Sequence, residues 1–178
     1  MSTVAHNTVT YKMKMLRRRL ILKANVCIQL WPVMFAPTFE KMLENQRFRR
    51  AKPFRVIEIH NIVTTVGKQL AADLLIAASS ASLQYCGVGS SSQAESASDT
   101  DLVTPIGSRM LYVERSRTGA IAVLTFFYGK NDNIGTWRET GVFTAVSGGT
   151  MLARAVISPE ISKTTSVTVR LDWDVEVA

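Results

Sequence analysis

Between Val167 and Val177 the chain alternates strictly. Val167, Val169, Leu171, Trp173, Val175 and Val177 are apolar, and Thr168, Arg170, Asp172, Asp174 and Glu176 between them are polar. A period of two places the first set on one face of a β-strand and the second set on the other. At about 3.3 Å per residue such a strand is roughly 36 Å long, about twice the usual length. Burying six apolar side chains contributes on the order of 10 kcal/mol before entropy is counted. A slip of one residue would bury four charges instead, so the pattern fixes the register.

Upstream, the punctuation is that of successive hairpins. Met110, Leu111, Tyr112 and Val113 lead to a turn at Arg117, Thr118 and Gly119, and an apolar run follows over residues 121–128. A polar turn over 129–135 precedes residues 137–146, and Ser147, Gly148 and Gly149 return the chain into residues 151–157. Glycine suits so tight a reversal because it accepts positive φ at little cost. Residues 54–59 predict a first strand, and Val63, Val66, Leu70, Leu74 and Leu75 then share one helical face. Residues 79–101 are rich in Ser, Ala and Gly around a short apolar piece at 83–88, which predicts a strand followed by a polar surface loop.

The first third of the chain carries no comparable pattern. Met13, Met15, Leu16, Leu20, Ile21 and Leu22 mix with basic residues at no clean period, and Trp31-Pro32 breaks any helix running through. Residues 20–35 are apolar, but Lys23, Asn25, Gln29 and Pro32 interrupt them short of the roughly 20 residues that a membrane span needs. A secretory signal is the alternative there, with Lys12, Lys14, Arg17, Arg18 and Arg19 as its basic flank; Lys23 and Asn25 inside the would-be apolar core argue against it. A short helix is predicted over 38–47, with Thr38 as its cap and Lys41 three residues in. The expected fold is therefore mainly β: an antiparallel, jelly-roll-like β-sandwich over residues 53–178 with one short helix, preceded by an extended basic N-terminal arm over residues 1–52 that takes its order from partners.

Charge sharpens that division. The net charge of +7 is unevenly spread: residues 1–60 hold 12 Lys+Arg against 3 Asp+Glu, and residues 61–178 hold 9 against 11. Basicity thus belongs to the arm, in the clusters Arg17-Arg18-Arg19 and Arg47, Arg49, Arg50 and Lys52, which are its candidate assembly residues. The same clusters suit contacts with phosphates, although Tyr11, Trp31, Phe35, Phe39 and Phe48 are not spaced as a base-stacking platform. On the β domain the candidate assembly surface is the polar face of the last strand, Arg170, Asp172, Asp174 and Glu176.

Chemistry-bearing motifs are sparse. Cys27 and Cys86 lie far apart without a CxxC spacing or a histidine pair, so the sequence calls for neither a metal nor a redox site, and no cofactor is expected. Gly87-Val88-Gly89-Ser90-Ser91-Ser92 lacks the Lys-Ser/Thr pair and following helix of a phosphate-binding loop. Glu95, Asp99 and Asp101 lack the ligand spacing of a calcium loop. Only His6 and His60 are available as general bases. Glu139, beside Trp137 and Arg138, is the best single carboxylate for an acid role, and a salt bridge at a strand end is its commoner use. No enzymatic activity is expected.

From Asn61 onward the chain resembles small tail-associated structural proteins of tailed bacteriophages. The pieces that carry the likeness run in order: Asn61-Ile62-Val63-Thr64-Thr65-Val66-Gly67, Tyr85-Cys86-Gly87-Val88-Gly89, Asp99-Thr100-Asp101-Leu102, and Arg109. They continue with Trp137-Arg138-Glu139-Thr140-Gly141-Val142-Phe143, Gly148-Gly149-Thr150-Met151-Leu152-Ala153-Arg154 and Lys163-Thr164. The resemblance covers about two-thirds of the chain and leaves the first 53 or so residues unmatched. It implies a virion protein of the baseplate, tail or fibre-attachment region, assembled in the bacterial cytoplasm, without catalysis. The implied partners are other phage structural proteins and copies of the chain itself in a symmetric ring or trimer. A head decoration or head-fibre protein is the neighbouring alternative, and a nucleic-acid-binding protein using the arm is the alternative from another class.

Overall fold

Strands with alternating apolar positions need a second apolar layer to cover one face, and here two five-stranded antiparallel sheets cover each other. A computed structural model describes residues 22–177 of the chain. The first sheet contains β1 (Leu22–Pro32), β2 (Arg55–His60), β6 (Glu114–Thr118), β7 (Ile121–Tyr128) and β10 (Val167–Val177), in the order β2-β1-β10-β7-β6. The second contains β3 (Ile62–Val63), β4 (Tyr85–Gly89), β5 (Pro105–Leu111), β8 (Gly135–Phe143) and β9 (Met151–Lys163), in the order β3-β9-β8-β4-β5. Two helices, α1 (Phe39–Arg47) and α2 (Thr65–Leu75), complete the architecture.

β10 lies at the centre of its sheet, and Val169, Leu171, Trp173 and Val175 are buried in the main core as its alternation requires. Opposite them Val142, Ala153, Ala155 and Trp137 come from the second sheet. Tyr128 stands edge-on to Trp137 at 4.8 Å, and its hydroxyl donates to the Cys86 carbonyl at 2.9 Å, so a buried polar tip is satisfied. The turn glycines behave as their positions require: Gly119, Gly148 and Gly149 have φ of 60°, 61° and 68°.

The expectation of an extended arm over residues 1–52 is corrected from Leu22 onward. β1 is the strand beside β10, paired along its full length from Leu22↔Val177 to Pro32↔Val167. Its Ala24, Val26, Ile28 and Leu30 are buried in the core. Lys23, Asn25 and Gln29, which look like interruptions of an apolar run, are the outward half of a period-two alternation. The predicted helix at 38–47 is present as α1, and Thr38 accepts from the Lys41 backbone N–H at 3.2 Å. It is docked on the outer face of the first sheet, where Met42, Trp31 and Phe127 form a small second core. The boundary at residue 53 thus falls inside the folded unit. Residues 1–21, including Arg17, Arg18 and Arg19, lie outside the described residues.

The helical face predicted from Val63 is also revised. Val63 belongs to β3, and α2 begins only after Thr64, whose hydroxyl accepts from the Gly67 N–H at 2.9 Å and donates to the Met151 carbonyl at 2.6 Å. Leu70 is buried, whereas Leu74 and Leu75 face solvent.

Candidate functional site

Of the cationic clusters, the one following α1 is described in full. Arg49 adopts φ of 54° just past the helix, and its N–H and that of Arg50 return to the Gln46 and Asn45 carbonyls. The reversal leaves Phe48 exposed between two guanidinium groups, Arg47 at 5.8 Å and Arg50 at 5.1 Å from its ring centre. One carboxylate serves the cluster: Glu44 bonds Lys41 at 2.8 Å and Arg50 at 3.4 Å. The Lys41 hydrogen bond and charge hold its carboxyl below the usual range. Arg47, Arg49 and Lys52 make no salt bridge among the described residues. Because α1 sits over Trp31 and Phe127, this basic, aromatic lip overhangs the end of the sheet where β10 begins.

The acidic face expected on β10 is smaller than its sequence suggests. Arg170 Nε meets both oxygens of Asp172 at 2.9 and 3.0 Å, and Thr125 Oγ1 donates to the same carboxylate at 2.6 Å. Asp172 is 9% exposed. Arg170 and Asp172 therefore neutralise each other within the fold, and they are removed from the candidate assembly surface. What remains beyond them is Asp174 and Glu176. Glu58 lies in line with Asp172 across β1, and Glu114 in line with it across β7. None of these four carboxylates makes a salt bridge among the described residues. Burial first, and the Asp172 charge second, push the Asp174 carboxyl above its ordinary value. Cys27 pairs with Asp172 on the same face, and its thiol is pushed up by burial, then by Asp172 and Glu58. That environment keeps it a thiol rather than a nucleophile.

A second cluster of charged side chains lies on the outer face of the second sheet. Glu139 and Arg154, adjacent on β8 and β9 and fully buried, are joined at 2.8 Å. Glu139 also accepts from the Thr104 N–H at 2.8 Å and the Val103 N–H at 3.1 Å. Arg154 donates to Asp99 at 3.0 Å and to the Gln93 carbonyl at 2.9 Å. Together they strap the loop over residues 90–104 across the outer face of the second sheet. Gly87 and Gly141 face each other across β4 and β8; a Cβ on Gly87 would meet Leu102, Phe143 and Arg109 within 3.0–3.4 Å. Into that space Arg109 stacks on Phe143 at 3.5 Å while bonding the Asp101 carboxylate and the Gly148 carbonyl, at 2.8 and 2.6 Å. Lys163, similarly buried, donates to the Gly129 carbonyl at 2.8 Å. Burial lowers its pKa, offset in part by the Asp132 charge.

Each residue weighed for chemistry has a structural position. Both Glu139 oxygens are taken up by the clamp, Asp99 and Asp101 each hold an arginine, and Gly87 and Gly89 lie in β4. His60 Nδ1 lies 3.0 Å from Asn25 Oδ1 at the sheet edge, and His6 lies outside the described residues. Arg154 has no role among the expectations drawn from the sequence. The signal was available: a lone charge inside the apolar run from Met151 to Ile157 needs a buried partner. No helix among the described residues is long and apolar enough to cross a membrane. Comparison of the chain with protein-family models, with curated proteins and with solved structures finds no match.

Proposed function

We propose that this chain is a structural subunit of a tailed-bacteriophage virion, in the tail, baseplate or fibre-attachment region, and that it works by docking onto copies of itself or onto neighbouring virion proteins. The observation that carries the assembly reading is the division of charge on the outer face of the first sheet. Arg47, Arg49, Arg50 and Lys52 crowd one end, and Glu58, Asp174, Glu176 and Glu114 lie further along, with the Arg170–Asp172 pair among them and Lys23 opposite Glu176. Thr168, at the α1 end, and Glu176 are roughly 26 Å apart along the strand at 3.3 Å per residue. Glu176 is out of reach of the basic lip at that separation, while Glu58 and Glu114, level with Asp172, stand roughly 13 Å along the strand from Thr168. Placed head to tail on a second copy, the two charge sets are complementary, and such a heterologous contact closes into a ring when the rotation between subunits allows.

The virion assignment rests on the resemblance. Of the residues in the matching pieces, Glu139, Arg154 and Arg109 hold the loop over residues 90–104 against the second sheet. The test is antibody-gold labelling of purified particles. Label on the tail or its attachment points is expected. Label on the capsid would replace this reading with a head decoration or head-fibre protein, and absence of the chain from particles would overturn both.

Exposed Phe48 between two arginines favours one rival, single-stranded nucleic acid held by stacking and phosphate contacts. That reading requires affinity that collapses between about 50 and about 200 mM salt and is lost with Arg47→Glu. Absent or salt-insensitive binding removes it.

A further inference from the structure

β6 is the outermost strand of the first sheet, and all five of its residues are exposed. One of its edges pairs with β7, and no strand among the described residues lies along the other. Such an edge presents a row of backbone N–H and C=O groups to solvent. The register sets Arg115 beside Leu124 and Arg117 beside Ala122. Leu124 belongs to the main core, so both arginines stand on the face of the sheet that looks into the sandwich. That face borders a hollow of about 560 Å³, walled by Leu74, Leu83, Ala122 and Leu124 and flanked by Arg115 and Arg117. Arg115 lies 5.2 Å from the centre of the Tyr112 ring, and Arg117 donates to the Gly119 carbonyl at 2.6 Å. Neither meets a carboxylate among the described residues, and Glu114, the acid of the same strand, lies on the opposite face.

We propose that this edge takes up an extended acidic segment of a partner protein, which adds to the first sheet beside β6 and sets carboxylates at alternate positions against Arg115 and Arg117. Each part of the surface selects one property of the occupant. The free backbone edge calls for a peptide strand, because only a strand supplies matching donors and acceptors along its length. Two arginines two positions apart on one face call for acids at the same spacing, and the hollow leaves room for their side chains. Inward-facing charges at an edge also discourage pairing with an uncharged strand. A second copy is disfavoured on similar grounds. Antiparallel pairing of β6 with β6 about a twofold axis sets arginine against arginine whether it is centred on Arg115, Ser116 or Arg117. Nor do the chain's own alternating acids fit, since Asp99 and Asp101 each hold an arginine and Asp172, Asp174 and Glu176 lie in a central strand. The inference depends neither on the proposed virion role nor on the basic lip after α1.

Fluorescence anisotropy on the full chain tests it, with a short fluorescein-labelled peptide in which Glu and Val alternate. Wild type should bind this peptide. Arg115→Glu/Arg117→Glu, with both changes at exposed positions, should bind it about tenfold more weakly and keep the wild-type circular dichroism spectrum. The same peptide with its backbone nitrogens methylated should bind wild type as weakly, because it cannot add as a strand. In hydrogen exchange the unmodified peptide should slow residues 114–118. No binding, equal binding of a peptide alternating Lys and Val, or unchanged affinity in the double variant or for the methylated peptide would overturn the proposal. Protection of residues 114–118 that rises with protein concentration alone would assign the edge to a second copy, and protection by a single-stranded thymidine oligonucleotide would assign it to nucleic acid. Either result contradicts an acidic peptide as the occupant.

Discussion

Glu139 illustrates how a carboxylate that invites a catalytic reading is consumed by the fold. Its oxygens accept from Arg154 and from two backbone N–H groups of the 90–104 loop, and the Glu139 and Arg154 side chains are themselves out of contact with water. Glu139→Gln removes the charge that Arg154 needs and replaces an acceptor by a donor. The expected loss is about 3 kcal/mol or more, measured by denaturant unfolding, with early proteolysis within the loop. Asp174 behaves in the opposite sense. Its carboxyl is raised in the folded chain, so folding favours its protonated form and the ionised form opposes folding. The penalty is complete at neutral pH and is relieved as pH falls through the raised folded value. Asp174→Asn should therefore raise Tm at pH 7, and the gain should vanish below about pH 3, under the unfolded reference near 3.9. The sequence made the orientation of such residues legible but not their neighbours. Alternation places Asp172 on the outer face beside Arg170, two positions back on the same strand; that Thr125 closes over it depends on pairing with β7, which no local pattern carries.

At the scale of elements, local chemistry was the most readable. Thr38 caps α1 and Gly148-Gly149 turns the chain because those residues solve backbone problems within a few positions. β1 was harder to see, since an alternating strand with Trp31, Cys27 and Ala24 in it reads as an apolar stretch with defects. Its partners, β10 and β2, lie far along the chain or beyond α1. α2 shows a tertiary demand overruling propensity. Gly67 sits where any Cβ would collide with the Leu152 backbone. Gly67→Ala gains up to about 1 kcal/mol in helix propensity. Calorimetry should nonetheless record a lower Tm, because α2 can no longer seat against β9. An unchanged or raised Tm would show that the helix has room to shift.

Across the whole molecule, the sandwich separates two kinds of surface. The second sheet commits Glu139 and Arg154 on its outer face to the clamp that holds the loop over residues 90–104. Apart from the Arg170–Asp172 pair and Lys23 opposite Glu176, the outer face of the first sheet is sorted by sign, with α1 and the basic lip at one end and carboxylates without salt bridges among the described residues beyond it. The whole-chain charge of +7 conceals this sorting, which appears only when β1 and β2 bring Glu58 into line with β10. Association between copies should weaken with salt, as expected for contacts at an exposed charged rim.

Sedimentation velocity on a charge-swapped pair tests the central claim most directly. One variant carries Arg47→Glu and Lys52→Glu, the other Glu58→Lys and Glu176→Lys, all outside the Arg170–Asp172 pair and the clamp. Wild type should form oligomers at low salt, each variant alone should sediment as a monomer with an unchanged circular dichroism spectrum, and mixing the two should restore association. Variants that associate as wild type does, or a mixture that stays monomeric, would contradict head-to-tail assembly through this face.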